Sequence, residues 1–293
     1  MKLDTIIKRC RIDRPGRFRI ADYDPAARFG LSNDFADIKP LLEDGIAQLS
    51  QMQERLYANG RWAVLLMLQG MDAAGKDSVI KHVMSGINPQ GCEVHAFKTP
   101  SAEELEHDFL WRSSKALPGR GRIGIFNRSY YEEILVVRVH RDVLQREKLP
   151  PESVKTIWKH RFKDIRAFEH HLARSGTVVL KFHLHISKAE QRRRFLARLD
   201  EPDKRWKFSM SDVAERKRWG DYMRVYQDMI RATSTDHAPW YVVPADHKHV
   251  AWLIVSGVMV AAMRELKLDY PRIEGDALKQ LKAAERALKA ERG

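Results

Sequence analysis

Between Asp34 and Tyr57 the apolar residues Ile38, Leu41, Leu42, Ile46, Leu49, Met52 and Leu56 recur at spacings of three and four. That is the period of an amphipathic helix with one face in a core. The pattern then changes. Residues 64–69, VLLMLQ, form a short unbroken apolar run closed by a glycine-rich turn, which predicts a strand buried on both faces. Similar runs recur at 92–97, 122–126, 177–186 and 240–245, with helical stretches between them. Strands alternating with helices predict an α/β fold with a parallel sheet of about five strands covered on both faces. The apolar run Trp252–Met263 is 12 residues long, well short of the roughly 20 that cross a bilayer, and predicts a buried helix.

Residues 1–33 are basic and broken at Pro15, Gly16, Pro25 and Gly30, so they read as an irregular N-terminal arm. Residues 34–270 read as one domain. Within it the segment 188–232, between the fourth and fifth strands, is polar, basic and far longer than a crossover needs, and reads as a helical lid. The tail 271–293 is rich in Ala, Lys, Glu and Leu and predicts a surface helix over 274–292. The N-terminus has no apolar signal segment, and the two cysteines, Cys10 and Cys92, make neither a disulfide framework nor a metal-ligand spacing. A cytoplasmic protein is the expectation. Fifty-two Lys and Arg against 39 Asp and Glu leave a formal charge of +13 and a pI near 9.7, so the surface should attract polyanions.

The segment QGMDAAGKDS places Gly70, Gly75 and Lys76 in the spacing G-x-x-x-x-G-K, after one predicted strand and before a predicted helix. In that context the motif is a phosphate-binding loop. Ala73, Ala74 and Gly75 let the backbone turn its N–H groups toward phosphate, the helix N-terminus adds a favourable dipole, and Lys76 adds a charge. Asp77 stands where Ser or Thr normally meets magnesium, ahead of Ser78. Asp72, inside the loop, would repel phosphate unless a cation lay between them, so it is a candidate magnesium ligand. At the end of the third strand an amide, Asn127, replaces the usual acidic ligand. That shifts metal neutralisation onto Asp72 and Glu132. Arg128 beside it suits a planar, multi-donor grip on phosphate. In the lid, Arg194 and Arg198 are four apart, share one helix face and could clamp successive phosphates, with Phe195, Leu196 and Leu199 marking the core-facing side.

Taken in order, GMDAAGKD, FKTP (97–100), HDFLWR (107–112), IGIFNRSYYE (123–132), LVVRVH (135–140), LKFHLHIS (180–187), RWKFS (205–209) and APWYVVPAD (238–246) resemble the polyphosphate kinase 2 family over residues 35–270. The resemblance implies a P-loop kinase fold similar to thymidylate kinase and magnesium-dependent, reversible transfer of the terminal phosphoryl group of inorganic polyphosphate to a nucleotide. It implies that Lys76 and Arg128 hold phosphates at the reaction centre, that Asp72 organises magnesium and that Arg198 grips polyphosphate. The FNRS segment with Tyr131 and Glu132 resembles class III, whose members phosphorylate both AMP and ADP. By the same resemblance Phe97, Lys98, Arg112, Asn127 and Glu132 are candidates to contact an adenine, or guanine, nucleotide, and a homo-oligomer is expected.

Two rivals remain at this level. An ATP-dependent nucleoside monophosphate kinase would share the fold, but the many lid cations favour a longer phosphate chain. A nucleic-acid-binding P-loop protein would need a recognisable module, and none is present. The expected partners exclude nucleic acid and membrane.

Overall fold

All seven residues of β1, Ala63–Gln69, are buried. The strand lies at the centre of one parallel sheet, in the order β2-β3-β1-β4-β5. The others are β2 (Cys92–Ala96), β3 (Ile123–Asn127), β4 (Thr177–His185) and β5 (Trp240–Pro244). This computed structural model describes residues 2–291. The five predicted strands are all present, with ends shifted by a residue or two, because continuous apolar runs can be buried only in a sheet covered on both faces.

One face is covered by Lys248–Glu265, packed against Phe35–Asn59 and Lys76–Val83. The predicted buried run is part of that helix, which is apolar around its whole circumference from Val250 to Val260. Phe35–Asn59 is capped by Asp34, whose carboxylate accepts from Ala36 N at 2.9 Å, and it ends at Gly60 in left-handed backbone. Leu41 is exposed rather than packed. Glu132–Val139, Ile157–Arg174 and Trp219–Thr233 pack together on the other face. There a fully buried ion pair ties sheet to helix. Lys181 Nζ donates to Glu169 Oε2 at 2.6 Å, Thr233 O at 2.7 Å and Tyr131 Oη at 3.1 Å.

The N-terminal segment corrects the expectation of an irregular arm. Leu3–Cys10 is a helix with Ile6, Ile7 and Cys10 buried, seated so closely on Lys248–Glu265 that a Cβ on Gly257 would lie 2.9 Å from Leu3. Ile12 N then donates to Trp240 O at 2.9 Å, so the arm also hydrogen-bonds to β5. Its charges hid an apolar face only two turns long. The tail helix is Gly275–Ala290, with no buried residue; position 292 lies outside the described residues. No helix among the described residues is long and apolar enough to cross a membrane.

Candidate active site

The connection after β1 runs to the β2–β3 side of the sheet and the connection after β3 crosses to the β4–β5 side, so a crevice opens at the C-terminal end of β1, the usual ligand position in such sheets. Gly70 begins the loop there. A Cβ at this position would stand 2.8 Å from the Leu184 carbonyl of β4, so a side chain is excluded. Ala73 (φ 62°) and Gly75 (φ 107°) turn the loop through left-handed backbone, and Gly75 leads into the helix Lys76–Val83. In the neighbouring loop after β3, Arg128 is also left-handed, at φ 66°. Such a conformation costs a non-glycine residue on the order of 1 kcal/mol or more and persists only where its surroundings impose it.

Lys76 is 8% exposed and donates to Gly70 O at 2.7 Å and Met71 O at 3.2 Å. Burial and then the Arg128 charge push its pKa down to about 8, against the pull of Asp72, Glu132 and Asp77. Asp77 accepts from Asn127 Nδ2 at 2.6 Å. The two departures from the usual motif are therefore one feature: the acidic residue in the helix is matched by an amide in the facing loop. Ser78 is half-buried on the next helical position, its carbonyl 2.8 Å from His82 Nδ1.

Arg128 reaches across the two loops. Its Nη2 donates to Asp72 Oδ1 at 2.7 Å and its Nη1 to Glu132 Oε2 at 3.1 Å. Glu132 first, and Asp72 after it, hold its pKa above the ordinary arginine value. A guanidinium has five N–H groups, so three are left without a protein acceptor among the described residues. Glu132 is itself fixed: with the Gln69 amide oriented to satisfy both partners, Gln69 donates to Glu132 Oε1 at 2.8 Å and accepts from Ser129 Oγ at 3.0 Å. Asp72 keeps Oδ2 without a hydrogen bond among the described residues.

The lid assigns its two arginines differently from their shared helix face. Arg194, 7% exposed, donates from Nε to Glu190, from Nη1 to Ala73 O and Ala74 O, and from Nη2 to Ala245 O and Asp246 O. All five N–H groups are used within the protein, and Arg194 fastens the phosphate loop to the end of β5. Gln191 Nε2 adds a bond to Asp72 O at 2.9 Å. Arg198 makes a 3.9 Å ion pair to Asp212 and lies over the Phe195 ring at 5.5 Å, with no side-chain hydrogen bond among the described residues. On the expected core side Phe195 is buried, but Leu196 and Leu199 are exposed.

The nucleotide candidates divide in the same way. Phe97 is a core aromatic, edge-on to Phe126 at 4.8 Å with the Arg112 guanidinium over its ring at 5.4 Å. Arg112 is buried, bonded to Glu133 at 2.7 Å and to Lys98 O at 2.8 Å. Packing occupies the Phe97 ring and the ion pair occupies the Arg112 guanidinium. The Lys98 side chain is exposed, and Asn127 and Glu132 lie in the loop beside Lys76 and Arg128.

Three residues at the site escaped the sequence pattern. The first is Gln69, a polar end to an apolar strand. The second is Asp212, whose carboxyl pKa is raised by burial and then by Asp72. The third is Tyr226, buried under the influence of Glu132, Arg128 and Asp72. Only Gln69 carried a visible signal. The donor set fits magnesium: Asp72 offers a free carboxylate oxygen beside the loop, and such an ion is held by one or two carboxylates together with water and substrate phosphates. Among the described residues no three acidic, His or Cys side chains gather as a closed metal cage.

A central-strand phosphate loop with a second cationic loop beside it defines a P-loop phosphotransferase. Comparison with known proteins narrows that class. The family model for polyphosphate kinase 2 matches residues 33–271, and the chain belongs to this family. It is 56% identical over 243 residues to a Rhodopseudomonas palustris protein named ADP-polyphosphate phosphotransferase, covering 82% of this chain and 84% of that one. It is 42% identical over 272 residues to the Meiothermus ruber AMP/ADP-polyphosphate phosphotransferase, covering 92% and 97%. Its fold matches the crystal structure of polyphosphate kinase 2 from Arthrobacter aurescens, with a TM-score of 0.86 and 39% identity over 100% of this chain and 98% of that one.

Proposed function

We propose that this chain transfers the terminal phosphoryl group of inorganic polyphosphate to AMP and ADP, forming ADP and ATP, and runs in both directions. The observation that carries this reading is the pair Lys76 and Arg128, two buried or half-buried cations just beyond the ends of the neighbouring strands β1 and β3, each with N–H groups left without a protein acceptor among the described residues. The names of the relatives agree with it on the donor and differ only on whether AMP joins ADP as acceptor.

The attacking atom is an acceptor phosphate oxygen, already anionic at neutral pH, so no general base is required. Its lone pair forms the new P–O bond while the bridging P–O bond of the donor breaks and leaves its electrons on the shortened polyphosphate. What the reaction demands is alignment and charge neutralisation as two polyanions meet. Lys76 and the loop N–H groups hold the donor end, and Arg128, oriented by Asp72 and Glu132, bridges toward the transferred group. Arg198 reaches the donor from the lid, and Arg194 keeps the loop in shape. A magnesium ion at Asp72 Oδ2 would add neutralisation between the phosphates.

A dual acceptor must let one or two phosphates precede the same transfer point, so the nucleoside shifts by about one phosphate length. The neutral Asn127, already donating to Asp77, lowers the negative charge that an approaching acceptor meets. The test follows AMP, ADP and ATP over time with excess polyphosphate and magnesium, in enzyme free of adenylate kinase. The expected course is ADP first and ATP later. ATP from ADP with no ADP from AMP reduces the reading to a nucleoside diphosphate-specific enzyme.

A further inference from the structure

A cavity lies away from the phosphate loop, where the N-terminal segment folds back against β4 and β5. It measures about 810 Å³ and is walled by His185, Val242 and Pro244 on the sheet side. The arm contributes six cations, Lys8, Arg9, Arg11, Arg14, Arg17 and Arg19, against three carboxylates. The carboxylates are largely committed. Asp13 pairs with Arg11 at 2.7 Å, Asp22 with Arg19 at 3.5 Å, and Asp24 accepts from Ala26 N at 2.9 Å. Lys8, Arg9, Arg14 and Arg17 have no carboxylate partner among the described residues, so a surplus of positive charge faces the cavity.

A second observation is independent of that charge. His185 is 8% exposed, lines the cavity, and its buried Nδ1 has no hydrogen-bond partner. An unpartnered buried polar atom is unfavourable in a finished interior, so the wall of the cavity keeps a polar group that the fold itself does not satisfy. A row of ring contacts runs from the cavity along β4 toward the reaction centre. His185 and His183 rings are 5.5 Å apart, and His183 lies 4.3 Å from the ring of Tyr226, which is buried under the influence of Glu132, Arg128 and Asp72. From the other side Asp246 N donates to Pro25 O, and the Asp246 carbonyl accepts from Arg194, the clamp on the phosphate loop.

We propose that this cavity is a remote anion subsite that holds the far part of the polyphosphate donor, so that the N-terminal segment sets preference for long chains. The proposal rests on polyphosphate being the donor. A repeating polyanion is the ligand that can occupy the phosphate loop after β1 and a second cationic cavity against β4 and β5 at once, and the gain from two linked contacts grows with chain length until the second is reached. A mononucleotide cannot span both.

The experiment compares wild-type enzyme with Arg14→Ala, Arg17→Ala and the double variant. Both side chains are exposed, so the fold is retained, as a melting curve verifies. Steady-state ATP formation from ADP is measured with long-chain polyphosphate and with an oligophosphate of a few units. The expected result is a KM for long chains raised roughly three- to tenfold in the double variant, with kcat, the KM for the short donor and the KM for ADP unchanged. Equal losses for both donors, or none for either, overturn the proposal, as does stronger protection of the cavity by a single-stranded oligonucleotide than by polyphosphate. Should wild-type enzyme form no ATP from polyphosphate, the donor assignment fails first. Direct titration of long-chain polyphosphate onto wild type and double variant then still decides whether the cavity binds it.

Discussion

Lys76 and Lys181 are both buried in the same sheet region, and in both burial is the first cause of a lowered pKa. They differ in what surrounds the ammonium. Lys181 spends its three N–H groups on Glu169, Thr233 O and Tyr131, and Glu169 in turn accepts from the hydroxyls of Tyr130 and Tyr131. Lys76 has two carbonyl acceptors, no carboxylate within a salt-bridge distance, and one N–H group over. The arginines repeat the contrast, with Arg194 saturated and Arg128 holding three N–H groups in reserve. A cation whose donors are full holds the fold together. One whose donors are unfilled, at the open end of a strand, is prepared for an anion.

The largest expected effect comes from breaking the saturated member. Lys181→Met leaves Glu169 in the core without its cation, with only the Tyr130 and Tyr131 hydroxyls donating to it, which should destabilise the protein by about 3–5 kcal/mol and lower Tm by on the order of ten degrees. Adding Glu169→Gln should recover much of that loss, because the unpaired charge disappears. A double variant no more stable than Lys181→Met would show that the pair is not the source of the effect.

Arg194→Lys comes next. An ammonium has three donors for five acceptors, so at least two groups among the Glu190 carboxylate and the four carbonyls lose theirs. Denaturant unfolding should show a loss of about 1–3 kcal/mol, with a raised KM for the phosphate donor because the loop loosens. An unchanged KM would separate Arg194 from the site.

The smallest effect concerns pH. Lys76 is held at about 8, below the ordinary 10.5. Between these values the unfolded chain binds the extra proton, so the stability contribution of this group rises with pH over that interval, and its buried-charge penalty is fully present below about 8. Function runs the other way. As pH rises through about 8 the free enzyme loses the Lys76 charge, so the donor KM should climb and binding should take up a proton. A flat donor KM through that range would show that Lys76 stays charged in the free enzyme or carries no donor contact.

The strands and the phosphate loop were legible because period and spacing are local properties: a six-residue apolar run followed by G-x-x-x-x-G-K constrains its own structure. The assignments of Arg194, Arg112 and Phe97 were not, because a side chain's function depends on which partners the fold delivers. Two arginines four apart on a helix look identical until one meets four carbonyls from two distant loops. The match of Asp77 to Asn127, 50 positions apart, is tertiary in the same sense. In the N-terminal segment dense charge masked Ile6, Ile7 and Cys10, too short a stretch for the helical period to show.

The most direct measurement is ATP formation from ADP and polyphosphate by Lys76→Ala, read beside its melting curve. The account predicts a fall in turnover of about 10²–10³ or more, the scale of losing one preorganised charge stabiliser, with Tm equal to or above that of the wild type because a desolvated charge has been removed. Wild-type turnover in a folded Lys76→Ala protein would contradict it.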